Sequence, residues 1–435
     1  MMRSLTRRDV VKVGGGAAAT ATVLRISIST SGAAAQDAVE LRMAWWGGDA
    51  RHEMYNTLLD LYEERNLGVT IAREFTDWDP YWERTATQVA AGNPSDLLHF
   101  NLLYTGQYAR QGIMLDLKPF VDNGTIDLTN HDQVLVDAGK VEDTLYYICL
   151  GASSPCAFYN EVLFEQVGLT APEPTWTWDD FVATTTSAAE ALGDDVFGCS
   201  DAGGNGELME IMLRQRGKSL VNENDEINFE AQDLIDWFGM WENLRQAGAV
   251  PPVDLSLDIA AAGGVETSLL STGKSAMMFS NGNQLKIYQR TMEDELSIAF
   301  PPSGPEGSQP GNYIVAAFIG ITQNSEAPDE AAKLINFMVN DPDAAQIYNA
   351  EHGPTSSLDV RELLFPNLDP SDQKVFSFME ILTQTVAPMT PQPVYYAQLM
   401  ALTTRTNEDI GFGTSVEEAV DSFIAEANRI IQQPS

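Results

Sequence analysis

The chain has 435 residues, 44% of them hydrophobic, and carries 62 acidic against 25 basic side chains for a formal net charge of −37. That length is two or three domains' worth, with enough apolar residue to build cores. The charge excludes an ordinary nucleic-acid binder, because a polyanion is repelled and no Lys/Arg stripe exists to release counterions.

Residues 1–35 read as a targeting segment. Paired arginines, Arg7 and Arg8, precede Val10, Val11 and Lys12 in the layout of a twin-arginine export signal. An apolar, small-residue run from Val13 to Leu24 follows, and Ala33, Ala34 and Ala35 offer a small-x-small cleavage pattern. The run is about twelve residues, short of the ~20 that span a bilayer, so a periplasmic or extracytoplasmic soluble chain starting near Gln36 is expected. So acidic and lysine-poor a surface suits a medium rich in salt, where screening weakens self-repulsion.

In the mature chain, Leu41 to Trp46 alternates as a strand, and Met54, Leu58, Leu59 and Tyr62 recur at helical spacing. A second strand is predicted over 69–75, a second helix over 81–91, and a third strand over 96–100 after the Gly92-Asn-Pro breaker. Strands alternating with helices predict parallel pairing in a layered α/β sheet. The apolar stretch 141–159 can carry the chain from one lobe to another. Helices over 179–192 and 231–246, a short strand over 277–280, a Pro- and Gly-rich loop over 301–311, a strand over 312–322 and a helix over 329–339 complete the pattern. Cys149, Cys156 and Cys199 allow at most one bridge, and a Cys149–Cys156 pairing is the one to check, although lone cysteines are more often core residues.

Several segments together resemble the extracellular solute-binding proteins, family 1, of bacterial sugar ABC importers. They are LRMAWWGGDARH from Leu41, QVAAGNPSD from Gln88, GIMLDLKPF from Gly112, FYNEVLFEQVGL from Phe158, PTWTWDDF from Pro174 and GKSAMM from Gly273. The opening segment looks most like the branch that binds oligogalacturonide and other plant-polysaccharide fragments. The resemblance implies an α/β fold of the periplasmic binding protein type, with two maltose-binding-protein-like lobes joined by a hinge. It puts residues 38–152 and 316–353 in lobe one and 153–315 and 354–435 in lobe two, with crossings near Gly151 to Cys156, Tyr313 to Ala317 and Gly353 to Ser357. It further implies a monomer without a cofactor that captures a sugar or oligosaccharide, uronides included, and delivers it to a membrane permease.

A sugar offers hydroxyls at its rim and C–H patches on its faces, so its pocket needs flat aromatic surfaces and a few planar polar groups. Trp45 and Trp46 stand where the first strand ends, and alternation sends them to opposite sides, so only one is expected to reach a ligand. Asp49 and Arg51 follow, the first able to cap the helix, the second able to clamp vicinal hydroxyls or a uronate. Trp78, in a loop after the second strand, and Asn101 and Tyr104, after the third, complete the first side. The other side offers Asn205 in a glycine-rich loop, Asn281 and Asn283 after a short strand, and Tyr313 at the second crossing. Trp176, Trp178, Trp237 and Trp241 are expected to pack.

Two other classes compete. A secreted glycoside hydrolase or lyase needs a carboxyl pair across the scissile bond, and no local motif nominates one; the four histidines lack H-E-x-x-H spacing and no G-x-S-x-G elbow occurs. A ferric-ion binder could use Tyr395 and Tyr396, an adjacent pair more often found in packing. The run from Asn222 to Glu226 looks like a calcium loop, but Ile227 stands where the sharp turn requires glycine, so no metal site is expected.

Overall fold

The computed structural model describes residues 38–432 apart from 194, 223, 387–391 and 394, so the twin-arginine segment and its cleavage site lie outside the described residues. Alternating side chains make Val39–Trp46 the strand β1, with Leu41, Met43 and Trp45 packed on one face and Ala44 and Trp46 on the other. The helix Asp49–Arg65 (α1) turns Tyr55, Leu58, Leu59 and Tyr62 inward at the spacing of one helical face. Val69–Thr76 (β2) returns in parallel beside β1, from Val39 opposite Val69 to Trp46 opposite Thr76. Trp78–Ala90 (α2), Leu97–Asn101 (β3, also parallel to β1) and Leu102–Arg110 (α3) follow.

Ile148–Ser153 (β4) runs into Pro155–Asn160 (β5) with only Ser154 between them, yet the two strands belong to different sheets. The second sheet is antiparallel, β5 lying between Met277–Asn281 (β6) and Leu296–Ala299 (β7). Val315–Ile321 (β8) then rejoins the first sheet, whose order is β2-β1-β3-β8-β4. Here the expectation of parallel pairing fails: β8 is antiparallel to both β3 and β4. The reason is topological, since β4 leaves for the second sheet at the edge where β8 comes back. The result is the two-lobed α/β fold.

The second lobe is mostly helical. Trp178–Leu192 (α4) starts on a capping box in which Thr177 and Asp180 bond each other reciprocally. Trp176 Nε1 donates to the Phe300 carbonyl at 2.8 Å and Trp178 Nε1 to Gln215 at 2.9 Å, so both indoles fix this helix in place. Gly206–Gln215 (α5) and Ala231–Gln246 (α6) pack beside it, with Trp237 and Trp241 wholly buried one turn apart on α6.

Pro328–Asn340 (α7) and Pro342–Tyr348 (α8) cover the first sheet. Leu358–Leu364 (α9) puts Val360 and Leu364 against Ala345 of α8, and Leu358 N donates to the Asn130 carbonyl. Arg361 also pairs with Asp132 at 3.3 Å. The helix Pro370–Leu382 (α10) packs against β7 of the second sheet. The helices Tyr396–Gly411 (α11) and Val416–Ile431 (α12) close the second-lobe core.

All three cysteines are free and buried. The Cys149–Cys156 bridge is absent because Cys149 pairs with Phe318 in one sheet and Cys156 with Ser280 in the other. Burial pushes the Cys149 thiol up to about 12, so it is an inert core thiol. Among the described residues no helix is long and apolar enough to cross a membrane.

Candidate functional site

The carboxyl ends of β1, β2 and β3 gather the first group of candidates. Trp46 is 8% exposed and lies edge-on to Trp78 (5.0 Å between centroids, 88°) and to Tyr81 (5.2 Å, 60°). Trp82 stacks on Tyr104 at 3.7 Å and 21°, and Trp78 reaches the same tyrosine at 6.1 Å. These rings form one wall, in which Trp78 and Tyr104 keep part of their surface open. Desolvation, and then the charge of Asp79, raise the Tyr104 hydroxyl above its usual range, so it stays a neutral donor.

Arg51 borders this wall. Its Nε donates to Glu351 at 3.1 Å and its Nη1 to the Trp46 carbonyl at 3.3 Å. The fold-back of the side chain needs Gly47, where a Cβ would come within 2.5 Å of Arg51 Cδ and where φ is +151°. Asp49 is exposed and is the first residue of α1, while Gly48 occupies the cap position expected of it. Trp78, expected in a loop, is instead the first residue of α2.

Trp45 faces away. It is wholly buried against Tyr55 and Phe75, and its Nε1 donates to His52 Nδ1 at 3.1 Å, so the pleat that sends Trp46 to the wall puts Trp45 in the core. Asn101 is taken up as the cap of α3, its Oδ1 accepting from Leu103 N at 3.0 Å.

In the second lobe, Asn205 likewise caps α5, accepting from Leu208 N at 3.1 Å. Asn281 ends β6, opposite Pro155, and its Nδ2 donates to Glu207 at 3.2 Å. Asn283 is tied to the crossing by its backbone, which donates to Ser153 Oγ at 3.1 Å. Tyr313 is 2% exposed; its hydroxyl donates to the Glu207 carbonyl at 3.4 Å and its ring lies 5.6 Å under the Arg214 guanidinium. A cavity of 590 Å³ also opens in this lobe, but it is lined by Pro301 to Asn312 and Pro174 and has none of these groups.

Trp46, Arg51, Trp78 and Tyr104 come together at the carboxyl ends of the first sheet, Asn281 and Tyr313 both bond to Glu207 in the second lobe, and Trp45 packs in the core while Asn101 and Asn205 cap helices. Residues missed from sequence are Tyr81, Trp82, Glu207 and Glu351. Trp82 had a usable signal, four residues after Trp78 on one helix face. Glu207 directly follows the Asn205-Gly206 turn, and nothing local marked it as a partner of Asn281.

Residues 57–382 match the family model for bacterial extracellular solute-binding protein, and the chain belongs to that family. A Brucella abortus protein named only as a binding protein is 23% identical over 313 residues, 70% of this chain and 73% of that one. Among solved structures, a periplasmic oligogalacturonide binding protein from Yersinia enterocolitica, in complex with saturated digalacturonic acid, matches with a TM-score of 0.76 at 20% identity, covering 91% of this chain and 99% of that one. An ABC substrate-binding protein from Listeria monocytogenes, in complex with cycloalternan, matches at 0.75 and 20%, covering 92% and 100%.

Proposed function

We propose that this protein is the capture component of an ABC importer for a sugar or oligosaccharide, exported by the twin-arginine route and cleaved near Ala35. The observation that carries the reading is the ring wall of Trp46, Trp78 and Tyr104, bordered by Arg51, at the carboxyl ends of parallel strands, where open α/β sheets receive ligands. Asn281 supplies the polar contact from the second lobe, with Asp49 and Asn283 at the rim. The carbohydrate complexes of the Yersinia and Listeria proteins support the ligand class.

The mechanism is capture without chemistry. Sugar bound to one lobe gains contacts on the other only when the lobes close, so closure is favoured by that difference in affinity. The closed monomer then delivers its ligand to a permease. Lobe one comprises residues 38–153, 315–353 and, on the packing of α9, 354–364; lobe two holds the rest. Iron is disfavoured because the Tyr395 hydroxyl donates to the Asp225 carbonyl and Tyr396 is buried. Among the described residues no group of three His, Cys, Asp or Glu is arranged to hold a metal.

The test is a thermal-shift panel of neutral and uronic oligosaccharides with product analysis. A binding sugar at 100 times its Kd raises stability by about 2.7 kcal/mol and is recovered intact. Turnover of the sugar would favour the hydrolase or lyase instead.

A further inference from the structure

The second-lobe wall is acidic where it would meet a ligand. Glu207 lies in the first turn of α5, keeps part of its surface open, and takes a hydrogen bond from Asn281; among the described residues no lysine or arginine pairs with it. One turn on, the buried Glu210 accepts from Leu220 N at 2.8 Å. Arg214 follows, its Nε donating to the Gly311 carbonyl at 3.0 Å, and its charge acts on Glu210 and Tyr313. Desolvation raises the Glu207 carboxyl and the Asn281 bond opposes this, so two carboxyls share a poorly solvated place.

Two polar groups at this place are open. Among the described residues Asn281 Oδ1 is buried without a partner, and so is the hydroxyl of Tyr396, a side chain 1% exposed whose charged and polar neighbours are Glu210, Tyr313, Glu207 and Arg214. Buried polar atoms in folded proteins are nearly always satisfied, so an orphan amide oxygen beside a partly open carboxylate marks a place for hydroxyl donors. On the facing lobe, Arg51 is already held by Glu351 and the Trp46 carbonyl. A uronate carboxylate brought to Glu207 would meet an acidic side chain that has no basic partner among the described residues.

Resting on the carbohydrate reading above, we infer that Glu207 is a specificity-determining residue: oriented by Asn281, its carboxylate accepts hydroxyl protons from an uncharged sugar and rejects uronides by like-charge contact. Neutral sugars are therefore the ligand class.

The test is calorimetric titration of the chain with neutral trisaccharides of glucose and of galactose and with trigalacturonate, in about 0.5 M salt so that the field of the whole acidic protein is screened and the local contact remains. The expected result is binding of a neutral trisaccharide, with trigalacturonate at least about 100-fold weaker. Glu207→Gln, folded by circular dichroism, should weaken the neutral sugar about 10-fold or more and narrow its advantage over trigalacturonate. Asn281→Ala should weaken the neutral sugar while the rejection of trigalacturonate persists, which keeps the test intact if Glu207→Gln fails to fold. Preference for trigalacturonate in the unmodified chain, or a Glu207→Gln variant that shifts both ligands equally, overturns the inference and leaves the carbohydrate reading standing. Failure of every sugar to bind sinks both.

Discussion

The two lobes contribute opposite kinds of surface. The first offers rings, Trp46, Trp78, Tyr81, Trp82 and Tyr104 packed edge-on and stacked, with the neighbouring Arg51 tied down by Glu351. The second offers carboxylates and amides, with its aromatic residues Tyr313 and Tyr396 sunk beneath. Rings bind sugar faces with little regard to hydroxyl pattern, whereas amides and carboxylates read that pattern. The proposed function accordingly assigns general affinity to the first lobe and discrimination to the second.

The same contrast governs buried titratable groups, and it sets the sign of the pH response. In the first lobe His99 is wholly buried, neither ring nitrogen bonds to any described residue, and desolvation, aided by the charge of Arg51, holds its pKa down to about 3. His352 is lowered for the same first reason. In the second lobe, desolvation pushes Glu210 up to about 7 despite its bond from Leu220.

The largest expected effect comes from Trp46. Trp46→Ala should remove both the ring wall and a packed side chain, lowering stability by about 3–5 kcal/mol in denaturant titration and abolishing sugar binding in calorimetry. Equal affinity in the variant would break the assignment of the ring wall as the affinity surface.

Next in size is the acid response. A histidine with a depressed folded pKa supports the fold above its unfolded value and loses that support as protons bind the unfolded chain. Stability should therefore fall from about pH 6.5 toward pH 3, His99 alone accounting for roughly 4 kcal/mol at the low end. His99→Phe should flatten this limb in thermal melts, and an unchanged limb would place the acid sensitivity elsewhere.

Glu210 works in the other direction. Its folded pKa is raised, so the unfolded chain releases its proton first and stability falls as pH rises from about 4.5 to 7. Glu210→Gln should raise stability at pH 8 by about 3 kcal/mol or less and have little effect at pH 4; destabilisation at pH 8 would contradict the sign. Smallest is Arg51→Ala: the pair with Glu351 is partly exposed, so about 1 kcal/mol of stability should be lost, with a weaker grip on sugar measured by calorimetry.

Local patterns were legible. The strand at β1, the helices over 179–192 and 231–246 and the buried Trp237 and Trp241 follow from periodicity, because burial on one face writes itself into spacing. Long-range pairings were not. Arg51 and Glu351 are 300 residues apart, and β8 runs antiparallel because of where the chain re-enters the lobe, which no local window encodes. Asn101 and Asn205 show a third case: an asparagine ahead of a helix is the same signal whether its oxygen caps the backbone or meets a ligand, and here both cap. For Trp45 and Trp46, alternation forecast that only one could face a ligand, and packing against Tyr55 and Phe75 decided which.

The proposed protein is a two-lobed clamp that closes on uncharged carbohydrate and releases it unaltered. Small-angle X-ray scattering of the chain, titrated with the neutral trisaccharides, tests it most directly. Closure gives a saturable fall in radius of gyration with the sugar recovered intact, and an unchanged radius at saturating sugar would rule the clamp out.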